Sequence, residues 1–187
     1  MHRIIRIIVY ANSPKEAREN AETILDEDLV ETKVYDYGTF FDDDSSSMSG
    51  KARWGNHIPS VVLADSKKGK KLINEGMKYT KESFFENIGR IKEAIKEYSV
   101  EELFEGEVVD IKKKILEELN EDKKNKMDLN FFRYFCFNVS KYQGGDISLY
   151  DNNGEGIRNN RDLKWALDKY GVEDDLKVYV VPVDVHF

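Results

Sequence analysis

The run VYVVPVDVHF (178–187) places Asp184 and His186 two residues apart in an otherwise apolar segment. In a strand, residues at that spacing share a face. Such a pair offers acid–base chemistry, with His186 as the titrating group and Asp184 setting its tautomer. Joined by His2, the same two residues become candidate ligands for a divalent metal. A zinc-type site takes three or four convergent ligands, and strand spacing supplies only two from one segment. The plainer reading is a salted sheet edge, with Arg6 and Asp184 forming a cross-strand ion pair that contributes about 0.2–1 kcal/mol. That plainer reading is the expectation carried forward.

Other stretches hold reactive types as well. GKARWGNHIP (50–59) sets Arg53, Trp54 and His57 in a glycine-punctuated loop. Arg and Trp are frequent binding anchors, and scaffolded loops carry much function; the structural alternative is that Trp54 plugs the edge of the core. DNNGEGIRNNRD spaces Asp151, Asn153, Glu155, Gly156 and Asp162 like parts of a calcium loop. It follows a strand-like segment, however, and Arg158 takes the usual apolar eighth position, so a plain turn is expected. Cys136 lies in an apolar segment with no base nearby in sequence, and no nucleophile elbow, Walker loop, dinucleotide fingerprint or zinc-ligand spacing occurs.

Composition bounds the classes. The chain has 187 residues, of which 40% are hydrophobic and 35% charged, and its formal net charge is −7. That length suits one domain with an inserted segment. The acidic balance argues against a nucleic-acid binder that works by neutralising phosphates, and favours a basic surface on a protein partner. A single cysteine excludes an internal disulfide. The first apolar run is interrupted by charge, unlike a secretory leader, and no stretch reaches the roughly 20 apolar residues of a membrane span. A cytoplasmic location is the expectation.

These residues must be positioned by regular elements. HRIIRIIVY (2–10) reads as a buried strand. In SPKEARENAETILDED, Ser13 and Glu16 form a capping box and Pro14 fits the first helical position, with Ala17, Ala21, Ile24 and Leu25 as the apolar stripe. LVETKVYDYG (29–38) alternates like a second strand, and 39–59 reads as a loop. SVVLAD suggests a short strand. Leu72, Ile73 and Met77 mark one helix weakened by Gly69 and Gly76, whereas Phe84, Ile88, Ile91 and Ile95 mark another. Ser99 and Glu102 fit a capping box, and Val108, Ile111, Ile115 and Leu119 suggest a further helix before the charged tract NEDKKNKMD. LNFFRYFCFNVS (129–140), rich in aromatics, reads as a third strand. ISLY reads as its hairpin partner after a QGGD turn. NNRDLKWALDKYG reads as a helix with Asn160 as cap and Gly171 as stop, and KVYVVPVDVHF as the last strand.

The order β-α-β, helical insertion, β-α-β implies a ferredoxin-like α+β fold, an antiparallel sheet with helices on one face. Residues 1–64 and 128–187 would form the core of a single domain, and 65–127 a charged helical insertion. The first and last strands are then antiparallel neighbours. Ile5, Ile7 and Val9 face the core with Tyr179, Val181, Val183 and Val185. His2, Ile4, Arg6, Ile8 and Tyr10 face the other way with Val180, Pro182, Asp184 and His186. Two registers keep this pattern, one setting His2 opposite His186 and the other Arg6 opposite Asp184. The open face would also carry Phe132, Tyr134, Cys136, Tyr35 and Tyr37. Exposed sheet aromatics occur in RNA-recognition modules, but their signature is missing here. Ile4 and Ile8 fit a protein interface or burial under the insertion.

The pieces YDYG and ARWG, with the VVPVDVHF strand, resemble a group of uncharacterised phage and prokaryotic proteins. Those carry a D-W-Y…G-G-R-W segment after a β-α-β start, and some have a V-D-x-H strand. Here a loop separates the halves of the first motif and the double glycine is missing. The resemblance raises interest in Arg53, Trp54, Asp184 and His186 and implies no activity. The sequence thus points to a small binding or regulatory module acting through protein contacts, with no cofactor required and with Arg53, Trp54, Arg6 and Tyr10 as binding candidates. The rival is a metal-dependent hydrolase or nuclease using His2, Asp184 and His186.

Overall fold

The computed structural model describes residues 1–105, 129–140, 147–168 and 175–186. They belong to two compact units, one comprising 1–83 with 142–187 and the other 84–141. The first unit is built on strands β1 (His2–Ala11) and β5 (Lys177–His186), which pair antiparallel along their whole lengths from His2↔His186 to Ala11↔Lys177. Of the two registers compatible with the sequence, the one opposing the two histidines is therefore adopted. Arg6 faces Pro182 across the ladder rather than Asp184.

β2 (Tyr37–Phe40) pairs antiparallel with the far part of β5, and β3 (Val62–Leu63) pairs with its near part. β4 (Leu149–Tyr150) runs parallel to β1, so the main path of the sheet is β2-β5-β1-β4. The fold is α+β with a mostly antiparallel sheet. The parallel β4 departs from the all-antiparallel ferredoxin-like arrangement expected from sequence.

Alternation along β1 and β5 separates two apolar layers. Ile5, Ile7, Val9, Val181, Val183 and Val185 pack with Ala17, Ala21, Leu25, Leu29 and Tyr35. These come from α1 (Pro14–Thr23), a π-helical segment (Ile24–Val30) and the turn after it. Ser13 caps α1 by accepting from the Glu16 amide, and the Glu16 carboxylate accepts from the Asn12 amide. The wider π turn lies mostly within the expected helix and runs two residues, Leu29 and Val30, into the stretch read as the second strand. Tyr35, expected on the open face, is instead buried in this layer with its hydroxyl bonded to that of Tyr150. On the opposite face, Ile8, Val180 and Leu149 pack with Leu72 and Ile73 of α3 (Lys67–Glu97) and Ala166 of α6 (Asn160–Leu167). Helices thus cover both faces, and the expected open face is occupied around Ile8. Asn159, not Asn160, caps α6 by accepting from the amides of Arg161 and Asp162.

α3 is one continuous helix where two were expected. Its early glycines are packing positions rather than breaks. A Cβ on Gly69 would lie 2.0 Å from the Leu63 carbonyl oxygen, and one on Gly76 would lie 3.1 Å from the Leu149 Cβ. Removing the side chain lets the helix approach the strands closely.

In the second unit, α4 (Val100–Glu105) starts at the expected capping box, with Ser99 accepting from the Glu102 amide and Glu102 accepting from the Ser99 amide. α5 (Leu129–Ser140) corrects the sequence reading, since this aromatic run is a helix and not a strand. Among its described side chains, Phe132, Phe135, Cys136 and Val139 are half-buried while Arg133, Tyr134 and Phe137 are exposed, which is a helical period. Aromatic content favours strands only through context, and here the edge of β1 is taken by β4. Phe132, Tyr134 and Cys136 are accordingly helix residues and not sheet residues. The expected helix at Val108–Leu119, the following charged tract, the QGGD turn and the stop at Gly171 lie outside the described residues.

The close approach predicts opposite signs for two equivalent substitutions in α3. Gly89→Ala, whose new Cβ would meet no described heavy atom within 4 Å beyond its own turns of helix, should stabilise by up to about 1 kcal/mol through helix propensity. Gly69→Ala should destabilise by about 1–3 kcal/mol despite the same propensity gain, because the methyl group overpacks the strand. Urea unfolding of both variants makes the comparison, and a stabilised Gly69→Ala would refute the close helix–strand contact.

Candidate functional site

The long β1–β5 register brings together side chains that lie at opposite parts of the sequence. Tyr37, His186 and His2 occupy one cross-strand row over β2, β5 and β1, and Thr39, Asp184 and Ile4 occupy the adjacent row. The Tyr37 ring stacks on His186 with centroids 5.1 Å apart and planes 7° from parallel. The His2 and His186 rings meet edge to face at 5.0 Å.

Asp184 is wholly buried. A carboxylate in that position must recover its lost hydration through charge-assisted hydrogen bonds. One oxygen accepts from His2 Nδ1 at 3.2 Å, and the other accepts from the Gly50 amide at 2.8 Å. Gly50 has φ +56°, and a Cβ there would lie 3.1 Å from Thr39 Cγ2, so this conformation and proximity suit glycine. Thr39 and Ser49 join their hydroxyls at 2.8 Å beside it. With Nδ1–H committed to Asp184, His2 presents Nε2 as an acceptor, 3.5 Å from the Tyr37 hydroxyl. His186 is oriented in parallel fashion by Asp36, 2.8 Å from its Nδ1.

His2, Asp184 and His186 therefore do converge. Even so, among the described residues no group of three or more His, Cys, Asp or Glu side chains has an arrangement that could hold a metal ion. The carboxylate is spent on an imidazole and a backbone amide, so the geometry is that of a hydrogen-bonded relay.

Arg6 lies apart from this relay. It is buried, donates to the Ile4 carbonyl at 2.7 Å and pairs with Glu75 of α3 at 3.3 Å. Burial lowers its pKa, and the Glu75 carboxylate opposes that shift. The structure places Tyr10 half-buried, its hydroxyl donating to the Ala166 carbonyl at 2.9 Å; burial, then Asp151 and Asp168, raise its pKa. Arg53 and Trp54 lie on α2 (Lys51–Trp54), the single turn that follows Gly50. Arg53 is exposed, Trp54 half-buried, and the guanidinium carbon lies 5.9 Å from the indole centroid. Asp151 accepts from the Asn153 and Glu155 amides, which is turn geometry rather than a calcium loop.

Sequence reasoning did not assign Asp36, Tyr37 or Gly50 to this cluster. Tyr37 was legible as a strand residue on the same face, but its neighbour across the sheet was not. Gly50 carried a weaker signal as a glycine closing a serine-rich loop.

A second feature lies toward the opposite end of β5. A cavity of about 830 Å³ is lined by apolar side chains including Leu63, Ile73, Leu163, Leu167 and Val178. Asp65, Lys70, Asp175 and Lys177 also line it.

The chain belongs to a family described as a domain of unknown function, DUF7995, whose model matches residues 1–111 and 104–187. No curated protein and no solved structure matches it.

The Asp184 contacts predict graded stability losses. Asp184→Ala strands the buried Gly50 amide and one side of His2, and should cost about 3 kcal/mol. Asp184→Asn keeps an acceptor for Gly50 and should cost less. Denaturant titration at pH 7 ranks the two, and equal losses would contradict the assigned role of the Gly50 amide.

Proposed function

We propose that this chain is a cytoplasmic binding module whose partner is a protein, engaged through a short apolar segment. The observation that carries this reading is the cavity beside α3 and α6. Its volume of about 830 Å³ lies within the roughly 300–1,000 Å³ range of pockets that enclose a ligand or a few anchoring side chains. Its wall combines leucine, isoleucine and valine with two lysines and two aspartates. The apolar groups favour buried anchors, and the charged ones give polar ends of a segment something to pair with.

The size also limits the mode of binding. A standard interface takes about 800 Å² from each partner, so this cavity would receive the anchor residues of a larger contact. The formal charge of −7 favours a partner whose surrounding surface is basic. No described helix is long and apolar enough to cross a membrane.

Peptides selected by display against the folded protein, followed by calorimetry, test the reading. Leu63→Glu places a charge on the wall at a residue already 39% exposed, and Asn74→Trp adds bulk from another lining position. Each should weaken the selected peptides at least about tenfold, by more than about 1.4 kcal/mol, while leaving thermal stability nearly unchanged. Peptides that bind both variants as tightly as the unaltered protein would remove the cavity from the proposal.

A further inference from the structure

We propose that Tyr37 is a nucleophile, with His2 as its general base and Asp184 as the residue that positions the base. This goes beyond the binding reading and uses a different part of the molecule. The three side chains form a linear relay: Asp184 Oδ1 to His2 Nδ1 at 3.2 Å, then His2 Nε2 to the Tyr37 hydroxyl at 3.5 Å. A nucleophile, a base within reach and a third group orienting that base is the arrangement that activates hydroxyl nucleophiles, and such contacts are commonly long before substrate binds.

The surroundings fit those roles. Asp184 is fully buried and held from its other oxygen by the Gly50 amide, so it cannot swing away from His2. His2 is largely buried, its side chain 11% exposed, whereas Tyr37 is 46% exposed and open to an incoming molecule. The parallel stack of Tyr37 on His186 fixes the phenol ring, and Asp36 fixes His186 in turn. Two carboxylates, Asp184 and Asp36, flank the site, and the N-terminal ammonium, 3.1 Å from His186 Nε2, offsets one of them. The remaining negative balance disfavours an anionic phosphoryl donor and leaves a neutral activated acyl donor as the matching substrate class.

In the step this implies, the Tyr37 oxygen attacks the acyl carbonyl carbon while its proton passes to His2 Nε2. The bond from that carbon to the leaving group then breaks, the leaving group departs with the electron pair, and an O-acyl tyrosine remains. No redox partner is involved.

The probe is p-nitrophenyl acetate, read by acid quench and peptide mass mapping at pH 7.5. Tyr79 and Tyr134 serve as internal controls, since at 44% and 43% exposure they match Tyr37 and neither has a described hydrogen bond to an imidazole. Acetylation of Tyr37 should run at least about tenfold faster than that of either control, a modest share of the roughly 10²–10⁴-fold that general bases supply. His2→Ala should bring Tyr37 down to the control rate, and added imidazole should restore part of the difference. Comparable rates at the three tyrosines in the unaltered protein would overturn the proposal, whatever His2→Ala does to folding. So would a folded His2→Ala variant that still acetylates Tyr37 rapidly.

Discussion

The ten-residue antiparallel ladder between β1 and β5 is the constraint on which the rest depends. Its register is fixed by two demands that agree. The faces of Ile5, Ile7, Val9, Val181, Val183 and Val185 must enter one apolar layer. The opposite faces must set Ile8 and Val180 under α3 while bringing His2 to His186. A slip of one residue would turn Asp184 toward the valine layer and Val181, Val183 and Val185 away from it. A slip of two would keep the faces but separate the histidines and move His2 off the Asp184 carboxylate. The apolar pattern therefore selects the parity, and the polar contacts select among registers of equal parity.

This division explains which parts of the structure were legible in sequence. The facing of β1 and β5, the Ser13 cap, the Ser99 capping box and the short strand at Val62 follow from local pattern, because each depends on neighbours a few residues away. The stripe of Ile24 and Leu25 made the helix legible as far as residue 28, but not its π geometry or its extension to Val30. Leu29 and Val30 suit a strand equally well, and the choice is made by packing against β1 and β5. For α5, high aromatic content outweighed a helical period that was present in Phe132, Phe135, Cys136 and Val139. Gly69 and Gly76 looked like helix breaks because sequence shows what a glycine lacks, and not what approaches the space it leaves.

The site was legible to a similar depth. Alternation placed Asp184, His186 and His2 on one face, and the structure brings them together. It could not supply the third strand of the row, since Tyr37 reaches His186 only through the pairing of β2 with β5. Nor could it supply Gly50, 134 positions before the carboxylate it binds. Long-range partners of this kind leave no periodic trace in the chain.

The buried Asp184 carries the physical argument furthest. An apolar residue there would avoid the desolvation of a carboxylate, so its presence is not explained by stability. What the carboxylate adds is directionality. Its two oxygens bind a side chain from β1 and a backbone amide ahead of α2, and each contact is sensitive to displacements that an apolar contact would tolerate. Three segments distant in sequence are thereby held to one small volume, with His2 in a defined tautomer. The same fixation that specifies the register also leaves His2 Nε2 facing the Tyr37 hydroxyl. Structural locking and chemical preorganisation are here consequences of one pair of hydrogen bonds.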